Sequence, residues 1–86
     1  MNNVWFVYVV RCADDSLYIG VAKDTQARVD VHNSGRGAKY TASRRPVKLV
    51  WTEKHEDQIL AMRREIQIKK WRREKKENLI KNSILK

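Results

Sequence analysis

A single cysteine, Cys12, rules out any disulfide within these 86 residues. Secreted domains of this size usually depend on such cross-links because their cores are small, so a cytoplasmic setting is expected, with no disulfide-linked partner. The apolar run from Val4 to Val10 is seven residues long and follows Asn rather than Lys or Arg. It is too short to span a bilayer and lacks the basic start of a signal peptide, so no membrane role is expected. There is no cluster of Cys and His with zinc-ligand spacing. Gly35-Arg36-Gly37 is too short for a nucleotide-binding fingerprint. Repeats, low-complexity tracts and linkers are missing too, and the length leaves room for one domain, residues 1–86.

Positive charge is what the chain has in excess: 19 Lys and Arg against 10 Asp and Glu, a net charge of +9. The excess is uneven. From Ala61 to Lys86 there are ten Lys or Arg against three Glu, whereas the other sixty residues carry nine against seven. A second concentration comprises Arg36, Lys39, Arg44 and Arg45. Such a surface attracts polyanions, and nucleic acid gains most because each neutralised phosphate releases counterions. Two alternatives remain: plain solvated helix faces, and a basic amphipathic helix resting on anionic lipid.

Three Trp and three Tyr supply bulky burial for a folded domain. Val4–Arg11 is β-branched and aromatic throughout, which predicts a strand buried on both faces. Asp14-Asp15-Ser16 is turn chemistry, and Leu17–Ala22 resumes as the second strand of an antiparallel hairpin. Asp24 is a good N-cap for a helix over Thr25–Asn33, with Gly35 as its stop. Gly35–Pro46 has the composition of a loop. Val47–Lys54 places Val47, Leu49 and Trp51 at alternate positions, a half-buried strand. Asp57 can cap a helix whose apolar positions are Ile59, Met62 and Ile66. A further helical stretch covers Arg73–Leu85, with Leu79, Ile80, Ile84 and Leu85 apolar. Whether the two are joined or kinked near Trp71 is left open. The order β-β-α-β-α-α predicts an α/β (α+β) domain: a small, largely antiparallel three-stranded sheet flanked by helices.

If the hairpin turn centres on Asp14, Tyr8 faces Gly20 and Val10 faces Tyr18, which puts both tyrosines on one face. Gly20, having no side chain, would let another backbone come close. A slip of one residue would separate the tyrosines, and ordinary aromatic filling of a sheet face is the competing explanation. Arg28 and His32 lie four residues apart, about 40° around the first helix. They could be a phosphate-binding cation and a proton carrier, or simply a solvated face. Glu65 sits among Arg63, Arg64, Lys69 and Lys70. It could pair with Lys69 at the favourable i,i+4 spacing, or supply a hard oxygen to Mg2+ or Mn2+, which need as little as one carboxylate besides water and phosphate.

Taken in order, these residues resemble the GIY-YIG endonuclease superfamily, and within it the small stand-alone bacterial GIY-YIG proteins. Tyr18-Ile19-Gly20 is a literal YIG, and Phe6-Val7-Tyr8 stands where the family has GIY. Arg28 and His32 follow in the first helix, then Gly37-Ala38-Lys39-Tyr40-Thr41, then Arg44-Arg45-Pro46, and Glu65 closes the set. The likeness runs from Val4 to Lys76. It implies phosphodiester hydrolysis with one divalent cation, Mg2+ or Mn2+, held by Glu65, on DNA ahead of RNA. It places Tyr8, Tyr18 and Tyr40 along the site, with His32 assisting proton transfer and Arg28 stabilising charge on the phosphate. Phe6 departs from the first Gly of the motif, and Asn78 and Asn82 are loose counterparts of an Asn that follows the metal-binding Glu in many relatives. Family nucleases usually take their specificity from an attached DNA-binding domain, so here target choice is expected from this domain or a protein partner.

The expected function is therefore metal-dependent cutting of nucleic acid with little base specificity. Gly20, Lys39, Arg44, Arg45, Lys69, Lys70, Arg72 and Arg73 are the residues expected to meet its backbone. Two rivals remain: a binding module that keeps the fold without turnover, and a scaffold whose basic helix meets an acidic protein.

Overall fold

In a computed structural model that describes residues 3–84, the first strand, β1 (Trp5–Arg11), occupies the middle of the sheet. Its run of β-branched and aromatic side chains suits that position, since Val7, Tyr8, Val9 and Val10 are each no more than 2% exposed. β2 (Leu17–Ala22) and β3 (Lys48–His55) flank it, both antiparallel, in the order β2-β1-β3. The β1–β2 register is the one the turn chemistry predicts: Tyr8 faces Gly20 and Val10 faces Tyr18. Asp14 holds the turn by accepting from the Ser16 backbone N–H at 3.0 Å, and Asp15 takes the left-handed conformation at φ 71° that Asp tolerates.

The β1–β3 pairing carries an irregularity between Val9 and Val10, where Val9 faces Trp51 but Val10 faces Leu49. The extra residue, Val50, breaks the alternation expected of β3. Leu49 and Val47 pack with Tyr8 and Val10 on one face, while Trp51 joins Val7 and Val9 on the other.

α1 (Thr25–Asn33) covers the Tyr8 face, contributing Val29 and His32, and starts at Asp24, whose carboxylate accepts from the Ala27 N–H at 3.0 Å. The stretch from Gly35 to Pro46 is not wholly loop: Lys39–Ala42 forms a helical turn, α2. Four residues are too few for a periodic signal, and Thr41 ties the turn down by donating to the Ala38 carbonyl at 2.9 Å.

α3 (Gln58–Lys69) and α4 (Arg73–Ile84) cover the opposite face, and the chain breaks between them around Trp71. The buried side of α3 is not the expected one. Ala61 and Ile68 are fully buried, whereas Ile59, Met62 and Ile66 are 64%, 44% and 52% exposed. Small Ala61 lets the helix lie close to the sheet, and Glu65 falls on the same strip at spacings of four and three. On α4, Ile80 is buried and Leu79 partly so; Leu85 lies outside the described residues. Glu77 anchors α4 to the hairpin by receiving both arms of Arg11, at 2.9 and 2.7 Å, which together with Arg73 holds its carboxyl down at about 2. Among the described residues no helix is long and apolar enough to cross a membrane.

Candidate active site

The face of the sheet under α1 holds a chain of buried polar groups. Tyr8 lies flat over Gly20: a Cβ at that glycine would fall 2.5 Å from the phenol oxygen and 2.6 Å from the ring carbon bearing it. The space left by the missing side chain is thus taken by the protein's own tyrosine rather than left for a bound strand. The Tyr8 hydroxyl lies 2.8 Å from His32 Nε2, and His32 Nδ1 lies 2.8 Å from Thr41 Oγ1. Tyr8, His32 and Thr41 are at most 2% exposed.

This chain determines who donates. Thr41 has one hydroxyl hydrogen and spends it on the Ala38 carbonyl, which can only accept. Toward His32 the Thr41 oxygen must therefore accept, so Nδ1 carries the imidazole proton. Nε2 is then a lone pair, and the Tyr8 phenol donates to it. Gly37 backs the imidazole, since a Cβ there would collide with His32 Nδ1 and come within 2.8 Å of its Cα. Thr41 and Gly37 carry no obvious sequence signal for this role, because nothing local shows that a loop nine residues past His32 folds back onto it.

Burial pulls the His32 pKa down, and the nearby Arg28 charge adds to this, so the ring is neutral at physiological pH. Burial pushes the Tyr8 phenol well above its usual value; Tyr18 raises it further, Arg28 pulls it back and Glu65 pushes it up. Glu65 acts from α3, on the opposite side of the sheet from α1. Its side chain is 16% exposed and meets Lys69 Nζ at 3.4 Å, the i,i+4 pair foreseen as the simpler reading.

Tyr18 meets His32 edge-on, ring centres 5.2 Å apart, and stacks on Tyr40 at 6.1 Å. Arg44 caps the column 3.8 Å above Tyr40 and is held there by Asp14 and the Tyr40 carbonyl. Tyr8, Tyr18, His32 and Tyr40 therefore form one aromatic assembly, with Arg28 and Glu65 within its electrostatic reach.

The basic residues expected to grip a backbone divide into two groups. Arg44, Arg45, Lys69 and Arg73 are engaged within the fold: Arg45 with the Ala42 carbonyl, Lys69 with Glu65, and Arg73 with Glu77 and Asp15. Lys39, Lys70 and Arg72 are exposed and form no ion pair among the described residues, and the same is true of Arg28. Asn78 and Asn82 are exposed on α4, and neither contributes to the chain at Tyr8. No group of three or more His, Cys, Asp or Glu gathers among the described residues. A single carboxylate still suits Mg2+ or Mn2+, which retain water and take substrate phosphate as ligands.

A three-stranded antiparallel sheet with a tyrosine from each hairpin strand, backed by a helix bearing Arg and His, is the architecture of a GIY-YIG catalytic domain. The pattern of that domain matches residues 4–78, and the chain belongs to the GIY-YIG family. More narrowly, it is similar to the UPF0213 proteins. A UPF0213 protein of Staphylococcus aureus is 57% identical over 76 residues, covering 88% of this chain and 93% of that protein. The solution structure of a UPF0213 protein from Bacillus halodurans matches with a TM-score of 0.59 at 41% identity, over 91% of this chain and 83% of that one. A second solution structure, of a protein from E. faecalis, matches with a TM-score of 0.64 at 41% identity, over 100% and 94%.

Proposed function

We propose that this domain is a cytoplasmic, divalent-metal-dependent endonuclease that hydrolyses phosphodiester bonds in DNA with little base specificity. The observation that carries this reading is the buried chain Tyr8–His32–Thr41, whose hydrogen bonds leave His32 Nε2 as an acceptor facing a phenol. A sheet that merely needed filling would place Phe there, with no buried imidazole to satisfy.

Glu65 is the residue that would hold Mg2+ or Mn2+. Such an ion, when bound, neutralises phosphate charge and makes water easier to deprotonate. The chain's own groups supply the remaining steps. Arg28 and a cation held at Glu65 would draw the buried phenol's pKa back down, so that His32 Nε2 would take the Tyr8 proton as the Tyr8 oxygen takes one from the attacking water. The water oxygen forms its bond to phosphorus as the bond to the leaving oxygen breaks, the leaving oxygen takes a proton from solvent water, and Arg28 steadies the charge on the phosphate. Tyr18 and Tyr40 wall the site, Tyr18 fixing the His32 ring edge-on and Tyr40 stacking on Tyr18.

A non-catalytic nucleic-acid-binding module is the second reading, favoured by the Glu65–Lys69 ion pair, which already satisfies the carboxylate. One assay separates the two. With Mg2+ or Mn2+ present, the wild type is expected to nick DNA, and Glu65→Ala to lose cutting while binding DNA nearly as well. Equal trace cutting by both proteins would identify a contaminant and leave the binding module standing.

A further inference from the structure

Beside Arg28 the surface drops into a cleft of about 380 Å3 bounded by Trp5, Lys23, Ala27 and Val31. A second cleft of about 410 Å3, also lined by Trp5 and Lys23, runs to Gln58 and Ile59 at the start of α3. The two share Trp5 and Lys23, so the pair forms a saddle between them. Trp5 packs against the core beneath α3 yet stays half-exposed, and the Lys23 ammonium stands 5.5 Å from the centre of its ring. Lys23 forms no ion pair among the described residues. The two acids bordering the clefts are occupied as helix caps, Asp24 receiving the Ala27 N–H and Asp57 the Leu60 N–H.

From this geometry we infer that the Trp5–Lys23 saddle is a subsite for one unpaired nucleobase, stacked on the indole, with Lys23 on the adjoining phosphate of the strand that passes Arg28. The inference rests on the nuclease reading above and names the substrate it prefers, a single-stranded or frayed segment. The accessible part of the indole carries the Lys23 ammonium over its ring, and a base that stacks there moves Lys23 from the ring to the base's own phosphate. Ring and cation together recognise a base and its phosphate, since every base has a π-face and every linkage a charge. A base inside a duplex is stacked on both sides and cannot reach the indole. The saddle is continuous with Arg28, which lines the first cleft and whose charge acts on Tyr8 and His32. A basic peptide is excluded by charge, and an acidic one would find no use for the flat ring.

The test measures fluorescence anisotropy of a labelled oligothymidylate of about 20 nucleotides and of a duplex of equal length, without metal so that nothing is cut. Trp5→Ala is expected to weaken oligothymidylate binding about 10-fold or more, within the range for one stacked base, and to leave duplex binding within about two-fold. Trp5→Phe, which keeps a ring and spares the fold, is expected to retain most of the affinity. Lys23→Ala should flatten the slope of log affinity against log salt by about 0.7, one phosphate contact on a single strand. Wild-type binding to duplex but not to oligothymidylate would overturn the subsite and leave the nuclease reading intact. Unchanged slope in Lys23→Ala, equal losses on both probes, or equal competition by polyglutamate would also overturn it. Failure of the wild type to bind either nucleic acid would end both readings.

Discussion

Replacing Thr41 by Val probes the proton chain at a residue that touches neither phosphate nor metal ligand. The substitution preserves shape and removes one hydroxyl, which in the native protein accepts from His32 Nδ1 at 2.8 Å and donates to the Ala38 carbonyl at 2.9 Å. Two responses are open to the imidazole. It can keep its proton on Nδ1, leaving a buried donor unsatisfied at a cost of about 1–3 kcal/mol. It can instead move the proton to Nε2, where it points at the Tyr8 hydroxyl and reverses that hydrogen bond. The first response lowers Tm by about 5–20 °C in a domain of this size. The second removes the acceptor that Tyr8 needs, and the loss of one positioned proton acceptor is about 100-fold or more in rate. Thr41→Ser should restore both properties. The direct assay is nitrogen-15 NMR of the His32 ring: the wild type should show a protonated Nδ1 and a bare Nε2, and where the Thr41→Val ring has moved its proton to Nε2, its cleavage rate should fall with its KM for DNA unchanged. A wild-type ring protonated on Nε2, or a Thr41→Val protein with both wild-type Tm and wild-type cleavage, would refute the reasoning.

The depressed pKa of His32 has a consequence for stability against pH. Because the unfolded ring titrates near 6.5 and the folded one lower, stability is full above about pH 6.5 and falls as the pH drops below it, where only the unfolded state takes up the proton. Urea midpoints at about pH 7.5 and 5.5 should differ in that sense, and His32→Gln should reduce the difference; an unchanged difference would assign it to other groups. At Gly20, an added methyl meets the Tyr8 phenol at 2.5 Å. Gly20→Ala is expected to cost about 1–3 kcal/mol through overpacking and to swing Tyr8 away from His32, so its cleavage should be no faster than that of Tyr8→Phe. Stability and rates matching the wild type would show that the ring can shift harmlessly.

Much of this arrangement was legible in the residues, and what was not has definite physical causes. The hairpin register followed from the turn at Asp14, and with it the placing of Tyr8 over Gly20 and of Tyr18 on the same face. The caps Asp24 and Asp57 were visible because their side chains act locally. The orientation of α3 was hidden because periodicity weighs hydrophobicity alone. Ile59, Met62 and Ile66 form the more apolar stripe, but close approach at Ala61 and burial of Ile68 turned another side inward. The irregularity near Val50 was equally hidden, since it arises from pairing with β1 and leaves no mark in the alternation of β3 itself. Arg28 and His32 looked alike as neighbours on one helix, yet one is exposed and the other buried. The third member of the proton chain, Thr41, depends on a fold-back that only tertiary structure shows.

His32 and Glu65 are carried by helices on opposite sides of one thin sheet, and Glu65 arrives 33 residues later in the chain. A polypeptide still being synthesised can therefore complete the hairpin and first helix while lacking the carboxylate altogether. The same holds for a molecule that transiently sheds α3. Under the nuclease proposal, cutting by this set of residues would be coupled to finishing the whole fold, so an incomplete chain would be silent toward nucleic acid.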